Sequence, residues 1–380
     1  MKRLRDLYLT TFAPSLTTGR DMRMYACVRA LAMLGPVDLA YSPHDTDEPD
    51  DAFAAIENVE FHKIEPSRGL RRAYVYASKR LQGIPAGCCR GTSPELIAAG
   101  EALALRPDRG RVIVSDGNSA TAMMPFARRR PVIYNAHNFE SDYVRSPTGN
   151  HALASAAMRR YERRLIGRAS EAWMVSRVDV ESARELVPGA CIRYVPNVVD
   201  VAAIEPRAAR PSDAEVGVRL LMVGDFTYTP NRSGRDLLAE SVLPRVWQSL
   251  PATRLTFAGR GMEDWQPPDA RIEVAGFVED LTDLYTRADC VVVPITEGAG
   301  SPLKFIEALA FGVPVVATPK AARGLEVVAG VHYREGEDDA ALAEVIVETL
   351  RDGGAGLAVE GRRLAEREYS IESLAERIAA

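Results

Sequence analysis

In the stretch TEGAGSPLKFIEALAFGVPVVATP, residues 296–319, a glycine-rich loop leads into a short helix signature that carries Lys304 and, three residues on, Glu307. Ser301 is a good helix cap, Pro302 suits a first helical position, and Phe311-Gly312 with Pro314 behind it ends the run, so a helix is predicted over about 302–311. Lys304 then falls at the third helical position, where a cation opposes the helix dipole and a capping box calls for glutamate. A bound anion would resolve that conflict, because it gains from the ammonium and from the free backbone amides together. Glu307 shares the face of Lys304 and can accept hydrogen bonds from two neighbouring hydroxyls, as on a ribose. These residues point to a nucleoside diphosphate; the competing reading is a Lys304–Glu307 surface pair worth only about 0.2–0.5 kcal/mol.

Other loops carry weaker signals. Gly19, in APSLTTGRDMR, follows a strand pattern and opens a helix pattern, which reads equally as an anion site at a helix start or as a plain loop glycine with a Thr17 or Thr18 cap. In VGDFTYTPNRSG, Gly224 ends a strand, Thr229 or Asn231 precedes a helix, and Arg232 lies near its start. AGRGM supplies Gly259 and Gly261 but has Asp264 where a dinucleotide fingerprint needs a third glycine, which weakens a dehydrogenase reading. Asp45-Thr46-Asp47 has the letters of a metal-binding D-x-D, but its setting, DTDEPDD, reads better as a solvated acidic loop.

The elements that must position these residues follow a regular rhythm. Short apolar runs (DLYLTTF, VDLAYS, VEFHKI, RVIVSDG, PVIYNAHN, EAWMVS, CIRYVPN) alternate with helical patterns, as in a buried, largely parallel sheet. The composition shifts at VVDVAAIEPRAARPSDAEVG, an expected interdomain linker, and the rhythm restarts with RLLMVGD, TRLTFAG, IEVAGF, CVVVPI and VPVVATP. The expectation is therefore α/β, two doubly wound Rossmann-like domains over 1–200 and 201–380, facing each other across a cleft at the carboxyl ends of their strands, with the terminal helix packing back on the first domain. At 380 residues the chain is long enough for two such cores.

Charge and cysteine usage narrow the partners. Residues 1–200 hold 28 Lys and Arg against 23 Asp and Glu, and the remainder 19 against 29, so a net charge of -5 conceals a basic first half. Its arginines cluster in SRGLRRAYVYASKR, FARRRP and MRRYERRLIGR, and Arg159, Arg160, Arg163 and Arg164 share one helical face. Each cluster alone reads as a solvated face; together they raise an anionic partner or peripheral membrane contact, with no nucleic-acid partner expected. Five cysteines, odd in number and without C-x-x-C, fit a reducing cytoplasm and argue against a cysteine metal site. No apolar run approaches the roughly 20 residues that span a bilayer.

EGAGSPLKFIEALAFGVPVVAT resembles the donor-binding signature of the retaining glycosyltransferase family 4 group with the GT-B fold, in the branch that reads G-x-x-x-K-x-x-E-A. APSLTTGRDMRMYACVRAL, NAHNFES, YVPNVVD, VGDFTYTPNRSG and GFVEDLTDLYTRADCVVVP are similar, in order, to that family's first glycine loop, histidine loop, hinge, second-domain opening and segment before the donor loop. The resemblance implies that Glu307 binds ribose hydroxyls and that Lys304 contacts the phosphates. It also implies that the loop of Gly298, Gly300 and Ser301 offers amides to the diphosphate or sugar. His137 would reach the donor sugar, Gly19 and Gly224 would border the sugar-phosphate site, and Phe277 and Val278 would lie near the base. Glu297 and Glu307 are separated by nine residues where the common form has seven, so Glu297 is given no role. Asp225 stands in place of a usual basic residue, and Arg232 is its expected substitute.

The implied activity is transfer of a sugar from a UDP or GDP donor to a hydroxyl acceptor with retention, without a metal or other cofactor. Lys304, Arg232 and His137 serve the chemistry in that reading. The other readings are a nucleotide-sugar 2-epimerase and a non-catalytic nucleotide-sugar binding protein of the same fold.

Overall fold

The computed structural model describes residues 4–42, 49–66, 69–89, 93–123, 126–141, 152–207, 218–298 and 301–380. Asp45-Thr46-Asp47 and Gly300 lie outside these residues. The chain forms two compact units, Met1–Asn197 with Ile371–Ala380, and Val198–Ser370.

The first unit is built on seven strands: β1 Arg5–Thr10, β2 Val37–Tyr41, β3 Val59–Lys63, β4 Arg109–Ser115, β5 Ile133–Asn135, β6 Glu171–Met174 and β7 Ile192–Tyr194. All pair in parallel, in the order β3-β2-β1-β4-β5-β6-β7. Its main helices are α1 Gly19–Leu34, α2 Leu70–Leu81, α3 Pro94–Ala104, α4 Ala152–Ile166 and α5 Arg177–Leu186. Near-continuous apolar runs mark the central strands because helices cover both faces. Leu7 and Leu9 of β1 sit beside Val112 and Val114 of β4 and point into one core layer with Phe126, Tyr134 and Leu165.

The second unit repeats the plan with β8 Arg219–Val223, β9 Arg254–Ala258, β10 Ile272–Gly276, β11 Cys290–Val293, β12 Val315–Ala317 and β13 Arg334–Glu335. Their order is β10-β9-β8-β11-β12-β13, again parallel. The helices that matter here are α6 Thr229–Leu237, α7 Thr282–Arg287, α8 Leu303–Ala310, α9 Asp339–Asp352 and α10 Ala355–Glu368. The last helix, α11 Ile371–Ala379, belongs to the first unit and packs on α1. Residues 198–207 run along the second unit, where the Val199 amide donates to Tyr369 O (3.0 Å) and the Arg207 amide to Phe311 O (2.8 Å).

In each sheet the strand order reverses direction once, between β1 and β4 and between β8 and β11. The crevice outside the carboxyl ends of the strands at such a reversal is where open α/β sheets bind ligands. All five cysteines are free thiols. No helix among the described residues is long and apolar enough to cross a membrane.

Candidate functional site

At the β8/β11 reversal three helices converge. Gly224 ends β8, α6 follows it, and the loop after β11 leads into α8. The Lys304 Nζ donates to Asn231 Oδ1 on α6 at 2.6 Å, and Asn231 Nδ2 donates to the Asp225 carbonyl at 2.7 Å. Glu307 Oε2 accepts from the Tyr285 hydroxyl of α7 at 2.7 Å. Tyr285 is fully buried and stacks on Phe311, ring centroids 4.7 Å apart. Lys304 and Glu307 thus spend their hydrogen bonds on two different helices and form no ion pair with each other, which removes the surface-pair reading. Burial pulls the Lys304 ammonium down to about 8 against the attraction of Glu307 and Asp225. Burial likewise raises Glu307, opposed by the Tyr285 hydrogen bond and by Lys304. A desolvated ammonium whose hydrogen-bond partner is a neutral amide is a group that gains when a diphosphate arrives.

Local backbone fits this crowding. A Cβ on Gly224 would stand 2.7 Å from Lys304 Nζ and 2.9 Å from Asn231 Nδ2, so only glycine leaves room for the lysine. Gly298 adopts φ 102°, and a Cβ there would meet the Tyr228 hydroxyl at 2.9 Å. Two expectations about helix starts need correction. Pro302, not Ser301, occupies the cap position of α8, with no side-chain cap, so Lys304 is at the second helical position and the first-turn amides lack a side-chain acceptor. Thr229 begins α6 behind Tyr228, which puts Asn231 inside the helix rather than at its cap; there its side chain bridges Lys304 and Asp225.

The remaining expected donor residues are dispersed. Arg232 is exposed, and its guanidinium donates to Thr229 Oγ1 at 3.2 Å rather than joining the Lys304–Asn231 pair. Glu297 accepts from Ser233 Oγ at 3.0 Å, which fastens the loop to α6. Ser301 is half-buried before α8. Phe277, 59% exposed at the end of β10, lies under the Arg260 guanidinium, 5.0 Å from its ring centroid, and Val278 beside it is half-buried. Arg260, Asn231 and Tyr285 are the partners that sequence reading missed in these roles; only Asn231, in TPNRSG, carried a local signal.

The first unit holds a second polar group at its own reversal. His137 Nε2 is 2.8 Å from Ser115 Oγ, while its buried Nδ1 has no hydrogen-bond partner among the described residues. Desolvation first, then the charges of Arg23 and Arg20, hold this imidazole well below the usual histidine range, so it is neutral at pH 7. Asp116 follows at φ 52°, its Oδ1 accepting from the Asn118 (2.7 Å) and Ser119 (2.9 Å) amides, and burial pushes it up to about 6. Glu140 and Glu162 are each pushed up to about 7 by burial. Gly19 is the first residue of α1; Thr18 caps that helix, and its hydroxyl donates to Asp21 Oδ2 at 2.6 Å.

Beneath His137 lies a buried arginine absent from the sequence reading. Arg23 Nη1 donates to Val195 O (3.0 Å), Pro196 O (3.1 Å) and Asn197 Oδ1 (3.2 Å), and Nη2 to Asn135 Oδ1 (2.6 Å). Asn135 in turn donates to Tyr8 Oη at 2.9 Å. Among the described residues one histidine–carboxylate cluster is compact enough to ligate a cation, Asp38, Glu60 and His62. Asp38 in it is already paired with Arg109 (2.7 Å) and Arg5 (2.8 Å), so the cluster reads as an ion-pair network. A cavity of about 580 Å³ at the amino-terminal ends of β4 to β7, lined by Arg111, Arg130, Arg193 and Glu171, is at the opposite end of the strands from His137.

Residues 217–352, which contain the whole Lys304 group, match the family model described as glycosyl transferases group 1. The second unit is a group 1 glycosyl transferase domain. Over the whole chain the fold is GT-B, as in sucrose-phosphate synthase from Thermosynechococcus elongatus: TM-score 0.74, 18% identity, 99% of this chain and 97% of that one covered. Anabaena HepE, solved in complex with UDP-glucose, gives TM-score 0.65 at 16% identity, covering 99% and 98%. S. aureus TarM, as a G117R mutant in complex with fondaparinux, alpha-GlcNAc-glycerol and UDP, gives 0.69 at 11%, covering 98% and 99%. A search of curated protein sequences finds no match. The transferase domain therefore has its Lys304–Asn231 and Glu307–Tyr285 pairs at the strand ends where such sheets take ligands.

Proposed function

We propose that the protein transfers a sugar from a UDP-type nucleotide donor to a hydroxyl acceptor with retention of anomeric configuration. The observation that carries this reading is Lys304: a half-buried, desolvated ammonium at an uncapped helix start, beside Gly224, with a neutral amide as its hydrogen-bond partner. A sugar leaves a nucleoside diphosphate through an oxocarbenium-like state, so the main catalytic task is to stabilise charge growing on the phosphate. Lys304 and the first-turn amides of α8 supply that stabilisation from the protein itself, without a metal in the proposed step. Glu307 Oε2 is held by Tyr285, which leaves Oε1 to accept from ribose. In a retaining transfer the leaving phosphate can take the acceptor's proton on the same face, and no dedicated base is needed.

The UDP complexes of HepE and TarM support uridine as the base. The Gly298, Gly300 and Ser301 amides toward the diphosphate, Gly19 beside the sugar-phosphate site, Phe277 and Val278 near the base, and His137 toward the donor sugar belong to the same proposal. They rest on the resemblance.

A thermal-shift panel with UDP, GDP, TDP and ADP on the native protein and on Glu307→Ala tests this reading. A ligand at 100 times its dissociation constant stabilises by about 2.7 kcal/mol. Stabilisation by UDP that falls at least tenfold in apparent affinity in the variant is expected, because hydrogen bonds to a charged group contribute about 1.5–3 kcal/mol. Equal affinity in both proteins removes Glu307 from the donor site.

A further inference from the structure

Helix α2, LRRAYVYASKRL, has its amphipathic pattern turned outward. Leu70, Ala73, Tyr74, Ala77 and Leu81 recur at helical spacing and make one apolar stripe. That stripe faces solvent: Leu70 and Leu81 are each 90% exposed and Tyr74 is 74% exposed. The side turned to the protein instead carries Val75, Ser78 and the buried Lys79. A globular helix that exposes its apolar face while burying a lysine is matched to something outside the domain.

Charge identifies the occupant. Arg71 borders the stripe on one side and Arg80 on the other, and the helix has no acidic residue. Arg71 pairs with Glu95 at 3.0 Å, and the Arg80 guanidinium donates to Ile84 O at 2.6 Å. From α4, Arg164 donates to Gln82 O at 2.7 Å, which brings a second arginine-rich helix to the end of α2. A self-complementary contact with another copy would set arginines against arginines around a narrow stripe. An anionic bilayer satisfies both parts at once, taking leucine and tyrosine into the acyl boundary and the guanidinium groups onto the headgroups.

We propose that α2 seats the protein on an anionic membrane surface, with Leu70, Tyr74 and Leu81 inserted and Arg71 and Arg80 on the headgroups. This surface is separate from the Lys304 group, and its test does not depend on the donor assignment. Full-length protein is sedimented with phosphatidylcholine vesicles, with and without phosphatidylglycerol, at low and high salt. The expected result is binding to the mixed vesicles alone, weakened by salt. Binding should fall at least tenfold in Leu70→Ser/Leu81→Ser and about fivefold for each arginine replaced by serine. Both leucines are solvent-exposed, so the variants should keep the native circular dichroism and melting temperature, which are measured alongside.

Failure to sediment with the anionic vesicles overturns the proposal, as does equal binding by native and leucine-variant proteins. So does a concentration-dependent dimer in light scattering that the leucine variant abolishes, since the stripe would then meet a second copy.

Discussion

The polar groups at the two sheet reversals were assembled in opposite ways. In the second unit the two decisive charges, Lys304 and Glu307, lie on one turn of one helix, and the fold adds Asn231 and Tyr285 from neighbouring helices. In the first unit, Arg23 gathers Asn135 and the 195–197 segment, positions 112 to 174 residues away along the chain. A site written within a few residues can be read from spacing. One drawn from distant segments exists only once the sheet has formed. The first kind is argued through a ligand's charge, the second through what happens to a buried cation when its acceptors are lost.

The sharpest way to break the comparison is Lys304→Ala. If the second unit's group works through charge on the leaving phosphate, kcat/KM for sugar transfer should fall about 10²- to 10³-fold, the size of losing one preorganised transition-state donor. The melting temperature should hold or rise, because a desolvated ammonium has been removed. A large loss of stability with little loss of rate would make Lys304 a structural residue like Arg23.

Arg23→Met asks the reverse question. It leaves the Val195 and Pro196 carbonyls and Asn135 Oδ1 without their donor, and a buried unsatisfied group costs about 1–3 kcal/mol. Urea denaturation should show a loss of about 2–4 kcal/mol for the first unit's transition, while UDP affinity at the second unit stays within twofold. An unchanged urea midpoint would mean that the network carries no stability.

The contrast also accounts for what the sequence made legible. The strands were visible because buried parallel strands are continuous apolar runs, such as CVVV of β11; β13, only Arg334–Glu335, is too short to leave a pattern. Lys304 and Glu307 stood out because a local rule was broken at a helix start. Pro302 displaced Ser301 from the cap, a one-residue shift that propensity alone does not resolve. Tyr285 and Arg23 gave no signal, since a buried tyrosine and one arginine among many look like core and surface until their partners are known. In SRGLRRAYVYASKR the arginines were legible as a cluster, but the outward turn of the leucines depends on which face the rest of the domain covers.

A third measurement sharpens the electrostatics of the second unit. Burial holds Lys304 down to about 8 in the free protein. A bound diphosphate favours its charged form, so UDP binding should be proton-linked. Affinity should be nearly flat from pH 6 to 7 and weaken by about tenfold per pH unit at most above about 8, with proton uptake seen by calorimetry in buffers of different ionisation enthalpy. Absence of proton uptake at pH 8 to 9 would place the phosphates away from Lys304.

The smallest expected effect tests how Glu307 is held. Tyr285→Phe keeps the ring stacked on Phe311 and removes the hydroxyl that donates to Glu307 Oε2. The half-buried carboxylate is then left with one donor fewer, a loss of about 1 kcal/mol where it is charged. The sign of its pH dependence follows from the direction of the shift. Glu307 already lies above its ordinary value because burial disfavours its charged form, and removing the tyrosine moves it further up. A carboxyl raised in the folded state binds protons that the unfolded chain has released, so stability falls as pH rises through that window. The variant extends the window upward. Its deficit against the native protein should therefore be largest where Glu307 is charged and shrink on acidification, as the carboxyl takes up a proton and no longer needs the donor. A deficit that is constant or grows on acidification would show that the hydroxyl supports packing alone, and that Glu307 keeps its charge by other means.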